Sequence, residues 1–201
     1  MISEGKMIAI IVMTVICTAF LGCTDSSVFS DTGYDLQISM QISDDGTGSS
    51  FTKTIDVASH ICVPDDPATP ANEEEWEDIF DAIASASFDS EQDGPDRQID
   101  EYTVRYIPQE SPDGSGGTFM PPDLEGFTAD TTIIIPSGSV ANQTVVALDI
   151  LTKAEYWTEV TDAESIYTIR ITFRGKDENG ESFSVTVDEE VLLADYDTCD
   201  A

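Results

Sequence analysis

Side chains able to carry covalent or metal chemistry are few, because the chain has four Cys and one His. They are Cys17, Cys23, Cys62, Cys199 and His60. No C-x-x-C, H-E-x-x-H or G-x-S-x-G motif is present, so the spacing favours neither a zinc site nor an activated nucleophile. A lone His outside such a context is typical of a structural residue. We therefore expect a protein without enzymatic activity.

Acidic side chains cluster in segments outside the predicted strands. The clusters are Asp44 with Asp45, Asp93 with Asp96, Asp177 with Glu178 and Glu181, and Asp195 with Asp197 and Asp200. Ca2+ takes about six to eight oxygen ligands from loops of this kind, so acidic-loop calcium sites are one interpretation. The chain has no D-x-[DN]-x-[DN]-G loop, which leaves the metal ligands undefined. The other interpretation is that the acids only keep the protein in solution.

The net charge excludes several classes of partner. The chain has 40 acidic and 8 basic residues, which gives a formal charge of −32. Nucleic-acid binding needs clustered Lys and Arg to neutralise phosphates, and anionic lipid headgroups attract the same residues. We therefore expect no nucleic-acid partner and no adsorption to an anionic membrane surface. Apolar residues make up 40% of the chain, which is enough for a hydrophobic core.

The N-terminus has the pattern of an export signal. Residues 7–21 form an uncharged apolar run, shorter than the roughly 20 residues that a membrane-spanning helix needs. The run ends in Phe20-Leu21-Gly22-Cys23, which resembles the lipobox of bacterial lipoprotein precursors. The resemblance implies cleavage before Cys23 and acylation of its sulfur and amino group. An uncleaved membrane anchor and an ordinary signal peptide are the alternatives.

The lipobox resemblance implies that residues 1–22 are the signal peptide. The polar composition that follows predicts a flexible tether at residues 23–33, and the strand patterns predict a folded domain at residues 34–201. The implied lipid holds the protein in the cell envelope. In a Gram-negative cell it favours the outer membrane, because Thr24 and not Asp follows Cys23 directly.

Two cysteines remain once Cys17 is removed and Cys23 is acylated. Cys62 and Cys199 then lie in an exported, oxidising compartment, so we expect a disulfide between them. Two free thiols and a metal site that includes His60 are the alternatives.

The folded domain is expected to be mainly β. Strand patterns occur at residues 34–42, 51–57, 102–107 and 131–135, and at 167–173 and 183–187 around the Asn179-Gly180 turn. The first two of these patterns indicate a hairpin. Residues 144–151 fit either a buried strand or the beginning of a helix, and residues 152–157 fit one helical turn.

One helix is predicted inside an acidic insert at residues 64–101. The spacing that predicts it runs through Trp76, Ile79, Phe80, Ile83 and Ala84. Asn72 precedes Glu75 by three residues, as a capping residue does. Residues 89–100 are expected to form a polar linker.

The many short strands and intervening turns predict a single antiparallel β-sandwich, with a barrel as the alternative. The pattern Tyr167-x-Ile169-x-Ile171 resembles the tyrosine-corner strand of immunoglobulin-like and fibronectin type III-like domains. That resemblance implies an immunoglobulin-like arrangement of the sheets.

The Gly- and Pro-rich segment 109–130 is the binding surface that the sequence favours. Phe119, Met120 and Phe127 are the apolar residues that it offers to a protein or glycan partner. The alternative is that these residues fold back over the open end of the sandwich. Taken together, we expect a lipid-anchored envelope protein with a binding or structural accessory role. A calcium-dependent binding module is the alternative function.

Overall fold

The computed structural model describes residues 27–30, 36–48, 50–57, 61–62, 75–76, 80–160 and 164–194, with the backbone alone at 27–30, 61–62 and 75–76. The predicted signal peptide, Cys23 and Cys199 lie outside these residues, as does the side chain of Cys62. The lipid anchor and the disulfide therefore stay predictions. Within the described residues, no helix is long and apolar enough to cross a membrane.

The described residues form thirteen strands and one helix, which confirms the expectation of a mainly β fold. The elements are β1 (Ser27–Ser30), β2 (Leu36–Ser43), β3 (Thr54–Asp56), β4 (Ile61–Cys62), β5 (Glu75–Trp76), β6 (Ala82–Ser90), β7 (Arg97–Pro108), β8 (Ser111–Pro112), β9 (Thr118–Phe119), β10 (Phe127–Ile135), β11 (Val140–Leu148), α1 (Ile150–Glu159), β12 (Ser165–Asp177) and β13 (Ser182–Ala194). Strand β1 lies inside the segment that the sequence predicts to be a tether.

Two sheets contain most of these strands. The larger sheet has the order β1-β13-β12-β7-β10, and β3 also pairs with β13. The smaller sheet has the order β11-β6-β2. All pairs in both sheets are antiparallel except β3 with β13, which is parallel. Two short pairs, β4 with β5 and β8 with β9, form separate two-stranded sheets.

The inner faces of the two larger sheets share one hydrophobic core. Phe88 of β6 packs edge-on against Phe173 of β12, with ring centroids 5.0 Å apart. The strict alternation predicted for the first strand is confirmed, since the apolar residues of β2 are buried and Gln37, Ser39 and Gln41 are exposed. The two sheets therefore pack face to face because each strand buries one of its faces in the shared core.

The last hairpin is also confirmed. Strands β12 and β13 pair along their whole length, from Ser165 opposite Leu193 to Lys176 opposite Ser182. Gly180 has a φ of 82°, the left-handed conformation that the predicted Asn-Gly turn requires.

The predicted first hairpin forms only in part. Ser43 makes a single antiparallel bridge with Phe51, and the Thr52 N–H donates to the Ile42 carbonyl at 2.8 Å. The chain then crosses to the larger sheet, where β3 pairs with β13 and buries Ile55. Ile55 thereby joins the shared core from the larger sheet.

The helix predicted over residues 76–84 is wrong. Residues 75–76 pair as β5 with β4, and residues 82–90 form β6, the central strand of the smaller sheet. The inward residues of β6 are at most 2% exposed and repeat with a period of two: Ala82, Ala84, Ala86 and Phe88. This period overlaps the helical spacing over a few residues. Residues 82–90 adopt a strand because they pair with β2 on one side and β11 on the other, and such tertiary contacts outweigh local propensity.

The predicted linker at residues 89–100 is likewise replaced in part by strand. Strand β6 continues to Ser90 and β7 begins at Arg97, so the connection is confined to residues 91–96. The short connection carries the chain from β6 of the smaller sheet to β7 of the larger one.

The helix lies instead after β11. The run at residues 144–151, for which strand and helix were both open, divides at Asp149. Strand β11 ends at Leu148, and the Asp149 carboxylate accepts a hydrogen bond from the Thr152 N–H at 2.7 Å. Asp149 is therefore the N-cap of α1, which explains an acid in an apolar stretch.

The contact between the sheets yields a stability prediction. Phe88→Ala is expected to lower the free energy of unfolding by about 3–5 kcal/mol, because it leaves a cavity where a fully buried ring packs. Urea denaturation measures this change. Phe51→Ala is the matched control, since the Phe51 ring is 53% exposed, and its expected effect is below about 1 kcal/mol. Equal destabilisation by the two variants would contradict the placement of Phe88 between the sheets.

Candidate functional site

The outer face of the smaller sheet carries short, uncharged polar side chains. Its strand register aligns residues of β2, β6 and β11 in two neighbouring rows, Gln41-Ser85-Thr144 and Ser39-Ser87-Asn142. Side chains alternate between the two faces of a strand, so these six residues point away from the hydrophobic core. Serines occupy the central strand, and the longer Gln41 and Asn142 stand on the flanking strands.

This face forms a depression of about 560 Å³, which we call the polar groove. It is lined by Ser39, Met40, Gln41, Phe51, Ser85, Ala86, Ser87, Asn142, Gln143 and Thr144. None of these residues is charged, although the chain as a whole carries a formal charge of −32. Phe51 supplies the aromatic ring of the lining.

One end of the polar groove is bordered by the groove loop, which comprises residues 44–48 and 50. Asp45 organises this loop, since its carboxylate accepts hydrogen bonds from the N–H groups of Thr47, Gly48 and Ser50 at 2.8–2.9 Å. Gly48 has a φ of 74°, and a Cβ there would lie 3.4 Å from Ser85 Oγ. Glycine suits this left-handed backbone conformation, and the loop lies directly beside Ser85 of the groove.

A buried ion pair ties the groove loop to α1. Lys153 Nζ donates to Asp44 Oδ1 at 2.6 Å, and the Asp56 N–H donates to Asp44 Oδ2 at 2.6 Å. The Lys153 side chain is 1% exposed and the Asp44 side chain 13%. Removal of either partner would leave an uncompensated buried charge, so the two side chains must stay together.

Burial raises the pKa of the Asp44 carboxyl above its usual value. The nearby charge of Lys153 acts in the opposite direction, and the Asp56 carboxylate adds to the rise. Because burial outweighs the attraction of Lys153, Asp44 takes up a proton more readily than an aspartate in water does.

Acids of two other predicted clusters accept hydrogen bonds from backbone N–H groups of turns. Asp177 Oδ1 accepts hydrogen bonds from the N–H groups of Asn179 and Glu181 at 2.9 and 2.8 Å, and Asp96 Oδ1 accepts one from the Ser137 N–H at 2.8 Å. Among the described residues, no group of three or more His, Cys, Asp or Glu side chains is placed to hold a metal ion. The cluster at residues 195–200 lies outside them, so calcium binding stays a prediction.

The three residues predicted to form a binding surface have different surroundings. Phe119 of β9 and Phe127 of β10 are partly buried against the core, and Phe127 packs edge-on against Tyr102 with ring centroids 6.1 Å apart. Met120 is 63% exposed. The Tyr167 hydroxyl donates to the Pro122 carbonyl at 2.8 Å and so fastens this segment to β12. Partner binding by these residues stays a prediction.

Sequence reasoning did not identify the polar groove. A signal exists in β2 and β6, where outward positions such as Ser39, Gln41 and Ser85 are uncharged in a chain with 40 acids. The third strand of the groove is β11, which follows β6 by about 55 residues in the chain. Only strand pairing brings β11 beside β6.

Comparison with known proteins adds no family to these observations, because no family model and no curated protein matches the chain.

The turn between β12 and β13 yields a pH prediction. Hydrogen bonds from the backbone N–H groups of Glu181 and Asn179 hold the pKa of Asp177 below its usual range. A pKa lowered by folding means that the stabilisation is present above the unfolded pKa and is lost as the pH falls through the folded pKa. We expect an NMR titration to place the Asp177 midpoint below that of the same residue in a peptide of residues 174–184. Equal midpoints would contradict the role of Asp177 in the turn.

Proposed function

We propose that the protein is a lipid-anchored, exported, non-enzymatic binding module that holds a neutral glycan in its polar groove. The observation that carries the ligand assignment is the uncharged lining of this groove on a strongly acidic protein. The anchor rests on the Phe20-Leu21-Gly22-Cys23 motif, and the scaffold on the two sheets.

The proposed scaffold is a single β-sandwich of the immunoglobulin-like kind. The seven strands of eight or more residues divide three and four between two sheets that share one core, β11-β6-β2 and β13-β12-β7-β10. Immunoglobulin-like sandwiches have about seven strands divided in this manner. This chain departs from that pattern by placing α1 between β11 and β12.

The proposed location follows from the N-terminus. Acylation of Cys23 holds the domain at the surface of a membrane in the cell envelope, and in the outer membrane of a Gram-negative cell. Each buried CH2 of an acyl chain contributes about 0.8 kcal/mol, so two or three chains give stable attachment. Electrostatic attraction to lipid is not available to a protein with this net charge.

The chemistry of the polar groove matches a sugar chain. The amides of Gln41 and Asn142 donate and accept hydrogen bonds, and the hydroxyls of Ser85, Ser87 and Thr144 do the same, which suits ligand hydroxyls. Phe51 offers the half-exposed ring on which the apolar face of a pyranose can pack. A charged ligand would lack a counter-charge in the lining, and an anionic one would also be repelled by the surrounding acids.

The anchor is tested by Cys23→Ser. This variant is expected to leave the membrane fraction and to lose labelling by fatty-acid analogues, because the acceptor sulfur is gone. Cys17→Ser is the matched control, since Cys17 lies in the segment removed on cleavage, and it should remain attached and labelled. Membrane attachment and lipid labelling of Cys23→Ser would refute the anchor.

The polar groove is tested by calorimetric titration with cellotetraose, mannotetraose and chitotetraose. We expect at least one of them to bind, with Kd insensitive to ionic strength because the ligand is neutral. Phe51→Ala and Gln41→Ala should each raise Kd about tenfold, a loss of about 1.4 kcal/mol.

Two matched controls lie outside the groove. Met120→Ala removes an exposed apolar side chain from the 109–130 segment, and Gln98→Ala removes an exposed amide from β7. Both should leave Kd unchanged. Absence of binding by all three sugars, or an equal loss in Met120→Ala, would refute the glycan groove.

A further inference from the structure

The buried contact between Lys153 and Asp44 brings an amine and a carboxyl group together away from water. Lys153 Nζ lies 2.6 Å from Asp44 Oδ1, and the two side chains are 1% and 13% exposed. The other lysines in the described part of the chain, Lys53 and Lys176, are exposed. The geometry points to an intramolecular amide bond between Lys153 Nζ and Asp44 Cγ.

The reaction is a condensation that balances without any other reactant. A proton passes from the Lys153 ammonium to the Asp44 carboxylate, which gives a neutral amine and a carboxylic acid. Nζ then attacks Cγ, the Nζ–Cγ bond forms and the Cγ–Oδ1 bond breaks. Oδ1 leaves as water with the acid proton and one proton from Nζ, and Oδ2 becomes the amide oxygen. No atom is oxidised or reduced.

The neighbourhood of Asp44 favours this step in two respects. The Asp56 N–H donates to Oδ2 at 2.6 Å, where negative charge develops when Nζ attacks Cγ. Burial raises the pKa of the Asp44 carboxyl despite the opposing effects of Lys153 and of the Asp56 N–H, so the carboxylic acid that the condensation needs forms more readily than it does at an aspartate in water.

The amide also resolves an energetic problem of the ion pair. Two buried charges must be stripped of water, and their mutual attraction offsets that cost only with a full set of hydrogen bonds. An amide carries no charge, and its oxygen keeps the hydrogen bond from Asp56. The bond joins residues 109 positions apart and fastens the groove loop to α1 covalently.

The test is a peptide map of the full-length protein, denatured before digestion with trypsin. Trypsin does not cleave after a lysine whose Nζ is acylated. We expect the peptide 106–170, uncut at Lys153, to be joined to the peptide that ends at Lys53, with a mass equal to their sum less one water. Fragmentation should place the branch at Lys153 and Asp44.

Lys153→Arg is the control, because it keeps the positive charge but offers no amine for the condensation. Its digest should contain the separate peptides 106–153 and 154–170 and no branched species. If wild-type protein is cut after Lys153 as completely as after Lys53, the amide does not form and the proposal is overturned. The wild-type digest decides this even where the variant fails to fold.

Discussion

The alternation of side chains along β6 is the constraint on which both faces of the smaller sheet depend. Its inward positions are three alanines followed by Phe88, and they are almost completely buried. Small side chains at the centre of a sheet let the opposite sheet approach, and the single large ring then meets Phe173. The outward positions of the same strand include Ser85 and Ser87, whose short side chains lie between the longer ones of β2 and β11. One strand thus forms part of the core and part of the polar groove.

The abundant acids have several structural roles besides hydration. Asp45 organises the groove loop, Asp149 caps α1 and Asp177 closes the last hairpin, each through backbone N–H groups. A carboxylate accepts hydrogen bonds from successive N–H groups more strongly than a neutral side chain does. The chain has 40 acidic but only 8 basic residues, so most of its carboxylates cannot form ion pairs. Hydrogen bonds from backbone N–H groups position some of them instead.

The contrast between the acidic chain and the uncharged groove links structure to the proposed function. Charge elsewhere on the molecule keeps it soluble and repels anionic polymers, while the groove presents hydroxyls, amides and one ring. Two residues of the groove loop hold it in place: Asp45 binds N–H groups within the loop, and Asp44 contacts Lys153 of α1. The contact of Asp44 with Lys153 makes the position of the loop depend on α1.

The sequence by itself determined the mainly β character, the strands β2, β12 and β13, and the Asn179-Gly180 turn, because period-two alternation and turn chemistry are local properties of the chain. It also carries the lipobox resemblance and the cysteine pattern, which remain predictions. The helix at residues 76–84 was wrong for a tertiary reason: a few residues of β6 fit two periods, and pairing with β2 and β11 selects the strand. The crossing of β3 to the larger sheet, the meeting of Lys153 with Asp44, and the polar groove were likewise decided only by tertiary structure. Each of them joins segments distant in the chain, and no local pattern records which strand lies beside which.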